Sequence, residues 1–253
     1  MPRLFQPVQP DRRLRRSAQL LAGLILYGAT AAMMVLAGLG LDPWDVLHQG
    51  LSRTLGLGIG TWAILASFVV LLGWIPLRQR MGVGTIANAI LVGVVIDVVL
   101  ALFEPPQALW ARIALLVGGV VGNGIATGFY IGAGLGPGAR DGLTTGIAAR
   151  GHSIRAVRTT IEASVLVTGF LLGGTVGIGT VLYAVAIGPI THRTIPALAI
   201  GRRASPSSPR AARRPRGRSS SPRRGRRAPT GAASSSGAAM PPGRRGRAAA
   251  RAR

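Results

Sequence analysis

The sequence contains no cysteine and no lysine, and it has only seven acidic residues among its 253 positions. A chain without cysteine can form no disulfide, no thiolate metal site and no thiol-based redox centre. The seven acids and three histidines are scattered, with no His-Glu-x-x-His helix, and no glycine-rich loop ends in Gly-Lys-Ser. We therefore predict that the protein is not an enzyme and holds neither a metal ion nor a cofactor.

Every basic residue is an arginine, and the arginines are unevenly distributed. The net charge of +23 by itself suggests a nucleic-acid-binding protein, but 16 of the 30 arginines lie in residues 201–253, where there is no acid. That segment consists of Arg, Pro, Ser, Ala and Gly with one Thr and one Met. It cannot bury enough apolar surface to fold, so we predict a disordered tail.

Two interpretations of this Arg-rich tail stay open. A cytoplasmic tail of this charge would be drawn to anionic lipid. The same composition, which contains no lysine, is also typical of the out-of-frame end of a GC-rich gene. Specific nucleic-acid binding is disfavoured, because the segment has no aromatic residue that could stack on bases.

Residues 17–200 contain six apolar runs that approach or exceed the ~18 residues expected of a membrane helix. They lie at about 17–40, 60–77, 83–103, 109–133, 159–175 and 178–199. A basic segment, residues 1–16, precedes them, and arginines in the short loops fall mainly on one side, which places both termini in the cytoplasm. The predicted class is an all-α, multi-pass protein of the bacterial cytoplasmic membrane, with the lipid bilayer as its surroundings.

A polar segment broken by glycine and proline follows the first span and recurs after the fourth. Gly-x-Gly-Leu-x-Pro occurs at 38–43 and at 132–137; after a slip of two residues, Asp-x-Leu-x-x-Gly follows in both places. Gly-x-Gly-Thr opens the third span at 82 and the sixth at 177. The residues that break the helices are Gly38, Gly40, Pro43, Gly134, Gly136 and Pro137.

These matches predict two repeats, at about 17–104 and about 109–200. Each repeat has three spans, so the second copy starts on the opposite side of the membrane and is inverted. Interrupted helices at corresponding positions of inverted repeats are typical of secondary transporters. Irregular backbone at membrane depth must be buried in protein or line water, so the two broken half-helix segments are candidates for parts of one pathway.

Polar residues in or beside the spans are the candidate site residues, because an ionisable group inside a membrane is costly and is often functional. An alternative stays open for each acid: Asp45 and Asp141 stand where they can cap short helices, and Asp97 can form a helix–helix hydrogen bond. His192, the repeat partner of Asp97, is favoured as an interfacial residue. The candidates for a substrate or ion pathway are Asp45, Asp97, Asp141, Asn88, Asn123 and His192.

Other polar and aromatic side chains receive less specific interpretations. His48 stands one turn after Asp45 and could pair with it, but alone it is typical of a solvated surface histidine. Trp44, Trp74 and Trp110 are predicted near the membrane interfaces, where tryptophans act as anchors.

The Gly-x-Gly-Leu-x-Pro-x-Asp segment, the Gly-x-Gly-Thr opening and Asp97 resemble the YczE/YitT-type bacterial integral membrane proteins. The resemblance covers about residues 14–198 and leaves out the tail. It implies a protein of the cytoplasmic membrane in a family whose activity is largely undefined, and it transfers no catalytic residue.

The leading hypothesis is a small-molecule transporter or permease with a central site between the repeats and an unknown substrate. The alternative is a non-transporting accessory protein that supports the assembly or secretion of something else. A polar cavity at the membrane midplane, with Asp97 facing it, would favour transport. A dry and tightly packed interface would favour the accessory role.

Overall fold

A computed structural model describes residues 12–200, which form eight α-helices. The six longer helices match the six predicted apolar runs, and the two short ones occupy the two broken segments. The basic residues 1–11 and the predicted tail at 201–253 lie outside the described residues. The helices are α1 (Arg13–Ala37), α2 (Pro43–Leu55), α3 (Ile59–Leu77), α4 (Val83–Leu102), α5 (Leu109–Gly132), α6 (Ala139–Ala148), α7 (Ile154–Leu171) and α8 (Ile178–Leu198).

Four of the described helices, α1, α3, α4 and α5, are long and apolar enough to cross a membrane. The last two long helices are less apolar, because α7 contains Arg155, Arg158 and Glu162, and α8 contains His192 and Arg193. Large apolar side chains on the outer faces of α3 and α4 are exposed, as expected of a lipid-facing surface. The architecture is therefore all-helical with several candidate membrane helices.

Helices α1 and α5 run antiparallel through the centre of the described structure. Arg16, in the first turn of α1, donates from Nη1 to the carbonyl of Ala133 just after α5, at 2.8 Å. Arg112, in the first turn of α5, donates from Nε to the carbonyl of Ala37 at the end of α1, at 2.7 Å. Each arginine thus satisfies a helix C-terminal carbonyl that has no partner within its own helix.

The two broken segments have the same backbone shape, in a register that differs from the predicted one. Positive φ angles occur at Gly38 (61°) and Gly134 (68°), and again two residues later at Gly40 (116°) and Gly136 (128°). These pairs are 96 positions apart, and the same spacing aligns Asp45 with Asp141 without any slip. The predicted register, which paired Pro43 with Pro137, is wrong because the Gly-x-Gly pattern overlaps itself at Gly132, Gly134 and Gly136.

Each half of the chain docks its Gly-x-Gly-Thr motif on the broken segment of the other half. Gly84 donates its N–H to the carbonyl of Leu135 at 3.0 Å, and Gly179 donates to the carbonyl of Leu39 at 2.8 Å. Glycine is required at the preceding Gly82, because a Cβ there would collide with the backbone carbonyl of Leu135. These crossed contacts fix the starts of α4 and α8 beside the starts of α6 and α2.

The two halves differ in how their last two long helices meet. In the first half, α3 packs along α4, with Gly60 against Gly93. In the second half, α7 and α8 barely touch. A Cβ on Gly188, which stands 95 positions after Gly93, would meet no atom within 4 Å. A cavity of about 380 Å³ lies beside α7 and α8, lined in part by Arg158, Gly188 and His192.

Candidate functional site

The first component of the site is the N-terminus of α2. Asp42 is its N-cap residue and accepts backbone N–H bonds from Trp44 at 2.9 Å and Asp45 at 3.2 Å. Pro43 follows at the first helical position, where its missing N–H costs nothing and its fixed φ favours the helix. Asp42 therefore makes the capping bonds that the sequence analysis assigned to Asp45, and Asp45 lies in the first turn.

The second component is the N-terminus of α6, which faces that of α2. Its N-cap residue is Gly138, which contributes no side-chain cap, and Arg140 lies in the first turn. The Arg140 guanidinium lies 3.5 Å from Asp42 Oδ1 and 3.7 Å from Asp45 Oδ1. Its Cζ also lies 4.9 Å from the centroid of the Trp44 ring, within range of a cation–π interaction. One arginine of the second half thus bridges two carboxylates of the first half.

Asp141 and two tyrosines complete the polar cluster. The Tyr130 hydroxyl donates to Asp141 Oδ2 at 2.8 Å. Tyr27 packs edge-to-face on Tyr130 with ring centroids 5.9 Å apart. Because Tyr27 lies on α1 and Tyr130 on α5, this pair connects the antiparallel helices to the start of α6.

Two small cavities flank Arg140. One of about 60 Å³ lies on the side of α3 and α4 and is lined in part by Ser67 and Asn88. The other, of about 180 Å³, lies on the side of α7 and α8 and is lined in part by Asp42 and Tyr183. Tyr27, Arg140 and Asp141 line both cavities. These three residues therefore separate the two cavities.

Two buried polar atoms near the cluster have no hydrogen-bond partner among the described residues. They are Asp42 Oδ2 and His48 Nε2. His48 is only 1% exposed, so the predicted surface position is wrong; its Nδ1 lies 3.1 Å from Asp45 Oδ1, as the possible pairing anticipated. A buried polar atom without a partner is costly, and it marks a place where a ligand or a water molecule can gain a hydrogen bond.

Three of the six sequence-predicted pathway residues come together at this cluster. Asp45 approaches Arg140, Asp141 lines both cavities, and Asn88 lines the smaller one. Asn123 is fully buried between α1, α5 and α8; it lies 3.5 Å from Thr30 Oγ1 and accepts a hydrogen bond from Tyr183 at 3.2 Å. His192 is exposed and lines the cavity beside α7 and α8.

Asp97 lies away from the cluster and caps α3. Its carboxylate accepts N–H bonds from Gly60 at 2.7 Å and Thr61 at 2.8 Å, and it also accepts the Thr61 hydroxyl at 2.8 Å. This is a helix–helix hydrogen bond to a threonine, one of the alternatives that the sequence left open. Asp97 lines neither of the two cavities beside Arg140.

We expect Asp97→Ala to lower the free energy of unfolding by about 1–3 kcal/mol, because it leaves the first N–H groups of α3 without a partner. The matched control is His192→Ala, the substitution at the equivalent position of the second half, which should change stability by less than about 0.5 kcal/mol. Reversible unfolding in lipid bicelles measures both. Equal losses in the two variants would contradict the capping role.

Sequence reasoning missed Arg140 and assigned no site role to Asp42, Trp44, Tyr27 or Tyr130. A signal was available for Asp42, because an acid directly before proline at a helix start is a typical N-cap followed by proline at the first position. Among the tryptophans, Trp44 and Trp74 are buried in the protein, and Trp110 is 77% exposed. Arg140 carried no such signal, since it looked like one of several basic loop residues.

The cluster has the chemistry of a small polar binding site. The side chains that line the two cavities include three carboxyl groups, two guanidinium groups and four aromatic rings: Asp42, Asp141, Glu162, Arg140, Arg158, Tyr27, Trp44, Tyr130 and Tyr183. The N-termini of α2 and α6 lie beside them. Within residues 12–200 there is no group of three His, Asp or Glu side chains that could hold a metal ion. The arrangement can bind a small charged or polar molecule through ion pairing, hydrogen bonds and ring contacts.

Comparison with known proteins places this chain among bacterial relatives. A family model described as "Family of unknown function (DUF6198)" matches residues 14–196. An uncharacterized protein of Haemophilus influenzae is 42% identical over 174 residues, covering 68% of this chain and 80% of the relative. The uncharacterized membrane protein YczE of Bacillus subtilis is 32% identical over 179 residues, covering 69% and 83%. No solved structure matches the chain.

Proposed function

The chain belongs to the DUF6198 family and is similar to the membrane protein YczE, and on that premise we propose that it is a small-molecule transporter of the bacterial cytoplasmic membrane. The observation that carries the proposal is the bridge from Arg140 to Asp42 and Asp45. It joins the N-termini of two short helices beside polar cavities. Half-helix N-termini that meet at a polar site are a recurring form of substrate site in secondary transporters.

The proposed topology has six spans, formed by α1, α3, α4, α5, α7 and α8, with both termini in the cytoplasm. The spans form two inverted three-helix repeats, in which α2 and α6 are half-helices. The antiparallel α1 and α5, each at the start of its repeat, support this inversion. The matched positive φ angles and the crossed Gly-x-Gly-Thr contacts support the equivalence of the halves.

The difference between the halves supports a transport cycle. The smaller cavity, of about 60 Å³, lies on the side where α3 and α4 pack closely. The larger cavity, of about 180 Å³, lies on the side where α7 and α8 stand apart. In an inverted-repeat transporter, the half that is closely packed in one state becomes loosely packed in the opposite state, and the other half changes in the reverse direction. The present arrangement then corresponds to access from the side of α7 and α8.

An accessory protein that transports nothing is the second candidate. The size of the site favours it: a cavity of about 180 Å³ has room for only about six water molecules at roughly 30 Å³ each. Residues that bridge the halves would then have a purely structural role. The two candidates differ in whether a compound crosses the membrane.

The test is uptake by the full-length protein in proteoliposomes. A panel of metabolites is first screened for compounds that raise the melting temperature of the purified protein, since a ligand of the folded state stabilises it. Uptake of each radiolabelled hit is then measured with the wild type and with Asp45→Asn and Asp141→Asn. We expect both variants to reduce uptake at least about tenfold, equivalent to a loss of about 1.4 kcal/mol at the site.

The control variant is Glu104→Gln, which removes a carboxylate of similar chemistry from an exposed position away from the cluster. It should take up each hit at the wild-type rate. If none of the stabilising compounds enters the proteoliposomes, or if the cluster variants transport as fast as the control, the transporter proposal fails. The accessory role is then the better description.

A further inference from the structure

A positively charged side chain of the protein itself, the Arg140 guanidinium, lies at the N-terminus of α2. Asp42 and Asp45 offer carboxylate oxygens, Trp44 offers its ring face, and the Arg140 guanidinium lies among the three. The distances of 3.5 and 3.7 Å exceed the ~2.7–2.9 Å of a strong charge-assisted hydrogen bond. Arg140 thus forms ion pairs with both carboxyl groups without a short hydrogen bond to either, in a receptor whose chemistry suits a cation.

Acidic groups outnumber basic groups at the cluster. Asp42, Asp45 and Asp141 contribute three carboxyl groups, and Arg140 contributes one guanidinium. The N-termini of α2 and α6, each equivalent to roughly half a positive charge, offset part of this excess. Arg158 and Glu162, at the edge of the larger cavity, pair with each other at 2.7 Å. The excess of carboxyl groups favours a positively charged ligand over a negatively charged one.

The buried carboxylate of Asp42 also has unused hydrogen-bonding capacity. Its Oδ1 is occupied by the two N–H groups at the start of α2, whereas its Oδ2 has no partner among the described residues. Asp42 is 1% exposed, yet it lines the cavity of about 180 Å³. A donor that enters this cavity can satisfy Oδ2, which recovers the cost of leaving the atom unpaired.

We propose that this site binds a small organic monocation of the alkylammonium or alkylguanidinium class, and that Arg140 is the internal occupant which the cation displaces. The proposal rests on the transporter function and specifies the substrate class of the same site. The N–H groups of such a ligand pair with Asp42 and Asp45, and its charge lies against the Trp44 ring. The aromatic walls formed by Tyr27 and Tyr183 accommodate a short alkyl chain.

The sign of the effect at Arg140 separates this proposal from anion binding. If Arg140 competes with the ligand, removing its charge frees the receptor and tightens cation binding, because a larger fraction of the protein is competent to bind. If Arg140 is instead the binding group for an anion, the same substitution abolishes ligand binding. Metal binding is a third outcome, for which the described residues offer no three-ligand group.

The experiment measures equilibrium binding to the full-length protein in lipid nanodiscs by isothermal titration calorimetry. The probes are methylguanidinium, n-butylammonium, n-butyrate and magnesium, each as a simple salt at low millimolar concentration. We expect the two organic cations to bind the wild type, and Arg140→Gln to bind them at least about tenfold more tightly. Asp42→Asn should weaken them by about the same factor, while it keeps an N-cap acceptor.

Glu104→Gln, at an exposed position away from the cluster, is the control, with an expected affinity within about threefold of the wild type. If Arg140→Gln does not fold, the butyrate titration of the wild type still distinguishes the ligand classes. Binding of butyrate or magnesium in place of the organic cations overturns the proposal. So does weaker cation binding in a folded Arg140→Gln protein.

The proposed function and this inference can fail separately. If both organic cations fail to bind but other compounds are transported, the substrate class is wrong and the transporter stands. If the cations bind with the expected response to Arg140→Gln but never cross a proteoliposome membrane, the cation site stands and transport fails.

Discussion

Replacing Trp74 by alanine is expected to lower the free energy of unfolding by about 3 kcal/mol, the low end of the range for a buried tryptophan. Trp74 is fully buried near the end of α3 and donates from Nε1 to the carbonyl of Ala139 at 3.1 Å. Its indole lies directly over Gly142 of α6. The substitution removes these contacts and opens a cavity inside the protein.

The control for Trp74 is Trp110→Ala, which removes the same side chain from a position that is 77% exposed. It should cost less than about 1 kcal/mol, since few packing contacts are lost. Both are measured by reversible unfolding in bicelles. A loss at Trp74 no larger than the loss at Trp110 would contradict the packing that the structure assigns to it.

The contact between Trp74 and Gly142 predicts a compensating substitution for Trp74→Ala. A Cβ on Gly142 would stand in the space that the Trp74 indole occupies. Adding Gly142→Val to Trp74→Ala therefore refills part of the cavity and should restore part of the lost stability. Gly142→Val alone should destabilise, because its side chain collides with the indole.

Much of the helical framework was predictable from the sequence, because each membrane-length run is a local and continuous signal. The run at 83–103 became α4 (Val83–Leu102), and the run at 109–133 became α5 (Leu109–Gly132). The predicted span at 159–175 matched its helix less accurately, since α7 begins at Ile154. Its first turns carry arginines that hydropathy alone assigns to a loop.

The centre of the site was less predictable, because it depends on an approach between residues about a hundred positions apart. The sequence placed Asp45 and Asp141 at the starts of short helices, which the structure confirms. It gave no reason for Arg140 to reach across to Asp42, because that contact exists only when α2 and α6 face each other. Asp97 shows the reverse: a half-buried acid that suggested function accepts hydrogen bonds at the start of a helix.

The bridge between Asp42 and Arg140 predicts strong coupling between the two halves. Arg140→Met should lower the free energy of unfolding by about 3–5 kcal/mol, because it leaves the Asp42 carboxylate, which is 1% exposed, buried without this countercharge. Asp42→Asn should cost less, because Arg140 keeps its contact with Asp45 and with the cavity. The Arg140→Met variant, which strands Asp42, should therefore show the larger loss.

The double variant Asp42→Asn/Arg140→Met removes both charges and should be more stable than Arg140→Met alone, because no buried carboxylate then lacks a countercharge at this bridge. We expect a coupling energy of about 1–3 kcal/mol in the double-mutant cycle, measured by unfolding in bicelles. The cycle built with Glu162→Gln in place of Asp42→Asn is the control, since Glu162 pairs with Arg158. Additive losses in the Asp42 cycle would mean that the bridge does not join the halves energetically. A coupling confined to Asp42 and Arg140 would show that the residues that line the cavity also provide the energetic link between the repeats. A ligand that displaces Arg140 would then weaken the contact between the two halves.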